Sequence, residues 1–399
     1  MPLASISRFY FSALFLLITF NLSAGENLAT TGYIDTHMHL TIAKNKKQGQ
    51  SNSRKKPQMI GNARLKETIR QGKSPRGPKA RGGQKSQSQS NEEYIKAAEN
   101  LIVLMDEYGV GKCLLMPPPQ IPEQSKKVNN NYKNCLEVVN KFPDRFVLVA
   151  GGGTLNPLIY GTDAESVTDQ VRKKFEQQAK ILIENGVRAF GEMSVLHVAM
   201  AEHHNYSQAP ADHPLFLLLA DIAAKNNLAI DIHMEAVVSD QAIVDSLKQV
   251  SHNPKIIPAT IGGFENLLIH NRGAKIVWQH IGWDNTGGTT PELLRKLLAK
   301  HPNLYLALRR EEGAKAGRSF TPNRIADESG KLYPQWLKLI NDFPERIMIG
   351  SDEFVGIPGK TKRMPQSFEE TWSILKQLSK ETAEKVGRLN AKRVYSISD

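Results

Sequence analysis

The sequence predicts an α/β protein, specifically a (β/α)8 TIM barrel, and three observations lead to this prediction. Short apolar runs typical of strands alternate along the chain with longer amphipathic runs typical of helices. Eight strand-like runs occur, and most are followed by a helix-like run. Strict alternation implies parallel strands joined by crossover helices. A doubly wound open sheet is the alternative, but no Gly-x-Gly-x-x-Gly opens a helix after the first strand.

The predicted strands are apolar runs that end at turn-forming or polar residues. They cover residues 32–36, 111–116, 146–150, 187–192, 228–233, 275–280, 304–308 and 347–350. The predicted helices combine an apolar face with caps, such as Asn91 at a start and Gly109 or Gly186 at an end. They cover residues 91–108, 131–141, 165–185, 215–226, one or two helices within 239–270, then 291–300, 333–342 and an amphipathic tail over 368–395.

The first residues have the layout of a secretory signal peptide. Arg8 precedes an apolar run from Phe9 to Phe20, and small residues follow up to Gly25. The run is shorter than the roughly 20 apolar residues of a membrane span. We therefore expect residues 1–25 to be removed and the protein to be periplasmic or secreted, with an uncleaved anchor as the alternative.

The net charge of +12 is concentrated in one segment. Residues 41–90 contain fourteen Lys or Arg and one acid, Glu67, so the rest of the chain is close to neutral. This segment is rich in Gln, Ser, Gly and Asn, a composition that cannot bury a core and predicts a long, disordered insertion after the first strand. It does not predict specific nucleic-acid binding. Weak contact with an anionic polymer or surface is the alternative role.

The two cysteines, Cys113 and Cys135, do not form a disulfide framework or a zinc-binding spacing. We expect two separate buried thiols, although an oxidising compartment would permit a bridge between them.

Residues with metal-binding or acid–base chemistry follow five of the predicted strands. They are His37, His39, Glu192, His233, His280 and Asp352. Side chains two residues apart on a strand share a face, so His37 and His39 can point together. Active sites of (β/α)8 barrels form at the carboxyl ends of the strands, which predicts that these residues meet in one metal site.

Three segments resemble the metal-dependent amidohydrolase superfamily, in its amidohydrolase-related branch of decarboxylases and hydrolases. Ile34–His39 resembles the first-strand motif, Glu345–Asp352 the eighth-strand motif, and Leu389–Tyr395 the closing helix. The resemblance spans residues 31–397 and is interrupted by the basic segment. It implies a TIM barrel that binds a divalent metal and acts on a small molecule.

The resemblance also implies roles for individual residues. His37, His39 and His233 would bind the metal, Asp352 would be a further ligand or the catalytic base, and His280 would polarise the substrate or transfer protons. Glu192 matches a residue that bridges two ions in two-metal relatives. We expect one ion, with two as the alternative, and zinc as the metal because imidazole and carboxylate donors suit it; manganese is the other candidate.

Residues that follow the later strands extend the predicted site. Arg309 and Arg310 end the seventh strand, where one of them can hold a substrate carboxylate. Trp283 and Asp284 follow His280 and could line the pocket. His197, His203 and His204 lie in the loop after the fourth strand, where we expect mostly surface residues, with His197 the first further candidate. Asp35 and Asp231 share the faces of His37 and His233, so we expect them to form hydrogen bonds that support these ligands.

These observations predict a metal-dependent hydrolase that directs an activated water at an amide, ester or lactone carbonyl, with room for a carboxylate on the substrate. A non-oxidative decarboxylase on the same site is the nearest alternative. A non-catalytic protein that binds an anionic polymer through residues 41–90 is an alternative of another class. The oligomeric state is not predicted.

Overall fold

The computed structural model describes residue 28 and residues 31–42, 82–122, 132–202, 204–310, 323–360 and 368–398, with the backbone alone for 82–89. The predicted signal peptide and residues 43–81 of the predicted insertion lie outside these ranges.

Parallel strands form the centre of the molecule. In chain order, the described strands are β1 Tyr33–Leu40, β2 Val110–Leu115, β3 Phe146–Leu148, β4 Ala189–His197, β5 Ser207–Gln208, β6 Ala229–Met234, β7 Gln241–Ala242, β8 Ile256–Ile257, β9 Lys275–Ile281, β10 Leu304–Leu308, β11 Ile347–Ile349 and β12 Glu353–Val355. Of these, β5 pairs antiparallel with β4, and β7 and β8 form a separate antiparallel pair. One sheet has the order β12–β1–β2–β3 and the other β11–β10–β9–β6–β4–β5. Within these two sheets only β4 and β5 pair antiparallel, among the residues described. All eight predicted strands are therefore confirmed, and each lies in a parallel pair.

The two sheets contact each other at both sides. Val149, which follows β3, forms a parallel bridge with Ala189 of β4. On the other side, β12 follows β11 closely and pairs with β1. One apolar cluster also takes a residue from each of β1, β2, β3, β4, β6, β9, β10 and β11, and Tyr395 of the last helix packs against it. This arrangement is consistent with the predicted TIM barrel.

Helices follow most of the strands, as predicted. Their bounds are α1 Gly82–Tyr108, α2 Tyr132–Lys141, α3 Asn156–Tyr160, α4 Asp169–Glu184, α5 Pro214–Lys225, α6 Ile261–His270, α7 Pro291–Lys300, α8 Pro334–Asp342, α9 Phe368–Leu375, α10 Lys380–Glu384 and α11 Asn390–Tyr395. Side-chain caps fix several starts: the hydroxyl of Thr168 accepts from Val171 N, and that of Thr290 accepts from Leu293 N. In the described ranges, none of the helices is both long enough and apolar enough to cross a lipid bilayer.

Three predicted segments differ substantially from the structure. Helix α1 begins at Gly82, inside the segment predicted as an insertion without structure. Only residues 261–270 of the predicted helical region 239–270 are an α-helix, because the preceding residues form β7, a 3-10 turn and β8. The predicted amphipathic tail is divided into α9, α10, a π-helical turn over Lys385–Leu389 and α11.

The end of β4 with the segment up to β5, and the residues from 237 to 257, form a small lobe beside the strand ends. Its own apolar cluster includes Leu196, Val198, Ile243, Leu247 and Ile257. The Asn253 side chain joins its segments, because Nδ2 donates to Ala199 O and Oδ1 accepts from Ala199 N, both at 2.9 Å. This lobe supplies one wall of the site described below.

Both cysteines are buried and unpaired. The prediction of two separate thiols is confirmed.

Candidate metal centre

His37 and His39 reach the same site from β1, with their Nε2 atoms 3.0 Å apart. Simple alternation would place Asp35 beside them, but the pairing of β1 with β2 is irregular between Asp35 and Met38. Asp35 Oδ1 instead accepts from the backbone N of His37, at 3.1 Å, and of Ser351, at 3.0 Å. Asp35 therefore supports His37 through the backbone that carries it, and these hydrogen bonds do not involve the imidazole.

His39 is held in one tautomer by the neighbouring strand. Its Nδ1 lies 2.8 Å from the carbonyl oxygen of Met116. Because a carbonyl only accepts, Nδ1 carries the hydrogen and Nε2 presents a lone pair to the site.

Glu192 lies between two pairs of imidazoles. Its Oε1 is 2.9 Å from His233 Nδ1 and 3.0 Å from His280 Nε2. Its Oε2 is 3.5 Å from Nε2 of both His37 and His39. The sequence placed Glu192 at the end of the fourth strand, but β4 continues to His197 because β5 pairs back against it.

Asp352 completes the cluster beside the β1 histidines. Its Oδ1 is 3.3 Å from His39 Nε2 and 3.7 Å from His37 Nε2. Its Oδ2 is 2.5 Å from Arg309 Nη1 and 3.6 Å from His280 Nδ1. The six predicted residues are therefore in one cluster.

This donor set fits a divalent cation. In the described part of the chain, three groups of ligand atoms lie within 4.8 Å of one another: His37, His39 and Glu192; His37, His280 and Asp352; and Glu192, His233 and His280. The Nε2 atoms of His37 and His39 face each other, and only one of them can carry a hydrogen in the space between them. A cation bound by both nitrogens would remove this constraint. Buried imidazoles and carboxylates at these spacings are the ligands that zinc and related metals use.

Burial and neighbouring charges shift the titration of the cluster. Burial favours the neutral form of Glu192, but the charges and hydrogen bonds of His37, His233 and His280 outweigh it and hold the pKa of Glu192 well below its usual range. Burial likewise opposes the charge on Asp352, but Arg309 together with His280, His39 and His37 outweighs it, so the pKa of Asp352 is also lowered.

The environment of His280 favours the neutral form of its imidazole. Burial lowers its pKa to about 3, with the nearby His37 and His233 acting in the same direction. A neutral His280 has a lone pair available for a cation.

Arg309 and Arg310 diverge at the end of β10. Arg309 lines the cavity, pairs with Asp352 and has its guanidinium carbon 4.3 Å from the centre of a Trp283 ring. Arg310 pairs with Glu370 and donates to Ser373 Oγ at 2.6 Å, both on α9. The substrate-binding prediction for Arg310 is not supported, because its guanidinium is occupied away from the cavity. Trp283 lines the cavity, as predicted.

Asp284 has a structural role that the sequence did not reveal. It is buried, and its carboxylate accepts from the backbone N of Thr286, Gly287 and Thr289 and from Asn323 Nδ2. It therefore holds the loop that carries Trp283 and does not line the cavity.

Asp231 also has a structural role, because it contacts the last helix. Its Oδ1 accepts from the hydroxyl of Tyr395 at 2.6 Å. Burial raises the pKa of Asp231 to about 8. This contact with the last helix was not foreseen, since nothing in the sequence places residues 231 and 395 together.

A cavity of about 450 Å³ opens above the cluster. Its walls are largely apolar, with Pro118, Pro119, Met200, Trp283 and Phe354 among the lining residues. His197 lines the same cavity, and burial together with nearby His233 lowers its pKa to about 4. The sequence had identified His197 as a loop residue, whereas it is the last residue of β4.

Comparison with known proteins identifies a family. A family described as amidohydrolase matches residues 167–397. No curated protein matches the sequence significantly.

Three solved structures are similar at low identity. 4-Oxalomesaconate hydratase from Rhodopseudomonas palustris is 14% identical, with 91% of this chain and 95% of that chain covered and a TM-score of 0.43. 2,6-Dihydroxybenzoate decarboxylase in complex with 2,6-dihydroxybenzoate is 14% identical, with 74% and 87% covered and a TM-score of 0.40. A lactonase template engineered for organophosphate hydrolysis is 12% identical, with 77% and 87% covered and a TM-score of 0.45.

Proposed function

Because the chain belongs to the amidohydrolase family, we propose that it is a metal-dependent hydrolase that breaks a carbonyl-type bond, an amide, ester or lactone, in a small substrate. The observation that carries this proposal is the position of Glu192. One carboxylate oxygen faces His233 and His280, and the other faces His37 and His39. A carboxylate between two imidazole pairs suits two cations, an arrangement that favours hydrolysis.

The proposal assigns the ligands as follows. His37, His39 and Glu192 would hold one ion, and Glu192, His233 and His280 the other, with Asp352 beside the first. A single ion, the number expected from the sequence, is the alternative. We propose zinc, since imidazole and carboxylate donors suit it. A bound divalent ion would lower the pKa of a coordinated water to roughly 7 and polarise the substrate carbonyl.

The protein's own residues supply the proton transfer. Arg309 and the neighbouring histidines keep Asp352 ionised at neutral pH, so this carboxylate can accept a proton when the carbonyl is attacked and return it to the leaving group. The proposal therefore gives Asp352 the role of general base and acid.

The cavity limits the substrate to a small molecule with an apolar body. The apolar walls can bury such a body, and Arg309 is the cation placed to meet a substrate carboxylate. Trp283 supports that role, because stacking on its ring fixes the plane of the guanidinium.

The position of Arg309 also favours a second candidate, a non-oxidative decarboxylase. A carboxylate bound by Arg309 would lie next to Asp352 and the candidate ions. The two reactions differ in product, since only decarboxylation releases CO2.

We propose in addition that the strands close into a complete (β/α)8 barrel, that residues 1–25 are a cleaved signal peptide, and that the protein acts in the periplasm or outside the cell. The mass of the exported protein tests the cleavage, which predicts an N-terminus near Gly25. An intact Met1 on the mature protein would contradict it.

The function is tested by turnover of the purified mature protein on a panel of esters, amides, lactones and aromatic acids. We expect hydrolysis that a chelator abolishes and zinc restores. CO2 release from the acids without hydrolysis would favour the decarboxylase. Neither reaction in zinc-loaded protein, together with salt-sensitive heparin binding, would favour the anionic-polymer alternative.

A further inference from the structure

The imidazole of His197 lines the cavity, and one of its two nitrogens is hydrogen-bonded to the backbone. His197 ends β4, and its Nδ1 lies 2.8 Å from the carbonyl oxygen of Asn205, in the turn that joins β4 to β5. Because a carbonyl only accepts, Nδ1 carries the hydrogen, and the lone pair of the neutral ring lies on Nε2. Nε2 makes no hydrogen bond to any residue that the structure describes, and His197 is among the residues that line the cavity. A ligand in the cavity would therefore meet a fixed acceptor at this position.

His197 is not part of the candidate metal cluster. None of the three groups of converging ligand atoms found in the described ranges includes it. Its ring centre is nevertheless 5.1 Å from that of His233, so it borders the cluster on the side of the small lobe.

A row of polar side chains leads from His197 across the cavity to Arg309. The His233 ring lies 4.7 Å from the His280 ring, His280 Nδ1 lies 3.6 Å from Asp352 Oδ2, and Asp352 pairs with Arg309. In sheet order, β4 and β10 are separated by β6 and β9, which corresponds to about 14 Å at the usual strand spacing. A molecule held at Arg309 and at His197 would lie over the imidazoles between them.

We infer that His197 determines substrate specificity by accepting a hydrogen bond from a hydroxyl or amino group of the substrate. The substrate class is then a small carboxylate with an apolar body and a hydroxyl or amino group at the end opposite the carboxylate. This inference rests on the proposed function, because it places the bond to be broken between these two anchors. A buried acceptor discriminates strongly against a ligand that leaves it unpaired.

Binding of matched acids tests the inference without requiring turnover. The probes are 3- and 4-hydroxybenzoate, their methoxy counterparts and the corresponding aminobenzoates, titrated calorimetrically into zinc-loaded mature protein. We expect at least one of the hydroxybenzoates or aminobenzoates to bind about tenfold more tightly than the methoxybenzoate substituted at the same position. Comparison of the hydroxybenzoates with the aminobenzoates shows whether the site prefers a hydroxyl or an amino donor.

Variants assign the preference to His197. In His197→Phe the preference should disappear, whereas His197→Gln, which retains an acceptor, should keep part of it. His252→Gln is the matched control, because His252 is on the surface of the same lobe with its Nε2 3.0 Å from the carbonyl of Glu202. Zinc content and melting temperature, measured for each variant, separate loss of the acceptor from loss of the fold.

Two results would overturn the inference: equal affinities for hydroxy, amino and methoxy acids in the wild type, or a preference that persists in His197→Phe. The first applies even if the phenylalanine variant does not fold. Failure of the proposed function is distinct, since it would appear as absent ester, amide and lactone hydrolysis while the binding preference remained.

Discussion

Arg309 and Asp352 form a buried ion pair at the edge of the cavity, with Nη1 2.5 Å from Oδ2. The pair joins the end of β10 to the residue that follows β11, and it keeps the pKa of Asp352 below its ordinary value. The same guanidinium stacks on Trp283. Arg309 therefore connects the proposed base to the wall of the substrate cavity.

Replacing Arg309 with Met should shift the pH dependence of catalysis. Without the guanidinium the pKa of Asp352 rises, so the ionised base is lost at a higher pH as the solution is acidified. The acid limb of kcat/KM should therefore move to higher pH, and KM for carboxylate substrates should rise. An unchanged acid limb in Arg309→Met would show that the ion pair does not control the base.

Replacing Arg310 with Met provides the matched comparison. Arg310 ties β10 to α9 through Glu370 and Ser373, and it does not line the cavity. We expect a loss of about 2 kcal/mol in the free energy of unfolding, because Glu370, largely shielded from solvent, would be left without the charge of Arg310. KM and the pH profile of the remaining activity should not change. A large rise in KM, measured with the same substrate, would return Arg310 to the binding site.

Asp231 should make stability depend on pH. Its pKa in the folded protein is about 8, well above the ordinary value for an aspartate, so the folded state retains a proton that the unfolded state releases. Wild-type stability relative to Asp231→Asn should consequently fall by roughly 2 kcal/mol or more as the pH rises from about 4 to 8, and level off above that. Urea unfolding of metal-stripped protein at pH 5, 7 and 9 measures this. A constant difference across these values would contradict the prediction.

Much of the fold follows from local pattern. The eight apolar runs, from Tyr33 onward, were recognisable because buried parallel strands need continuous apolar residues and turn-forming ends. The small lobe was not recognisable. Residues 239–260 are apolar enough to resemble a helix, and only their pairing and packing with residues 196–208 define the lobe.

The site was predictable to a similar degree. Alternation along β1 correctly brought His37 and His39 together, but it could not reveal the irregularity that turns Asp35 to the backbone. Alternation also left Arg309 and Arg310 equivalent. The structure distinguishes the two arginines because Arg310 pairs with Glu370, which is far from it in the sequence.

Deletion of residues 43–81 should have little effect on the barrel. Strand β1 ends at Leu40 and α1 begins at Gly82, so the deletion, bridged by a short Gly-Ser linker, removes neither element. If this basic segment is an insertion without a core, as its composition predicts, the melting temperature should change little. A large fall in melting temperature would show that the segment is packed. Loss of salt-sensitive heparin binding on deletion would support the polymer-contact role.

The zinc content of wild type and Glu192→Gln, measured by elemental analysis after equilibration with zinc, tests the proposed two-metal centre most directly. Glutamine keeps the shape of Glu192 but removes the charge shared by the two imidazole pairs, so the wild type should bind about two equivalents and the variant about one or fewer. His213→Gln is the control, because His213 caps α5 away from the cluster, and it should match the wild type. A wild type that binds one equivalent of zinc or none, or a Glu192→Gln protein that binds as much as the wild type, would contradict the two-metal centre.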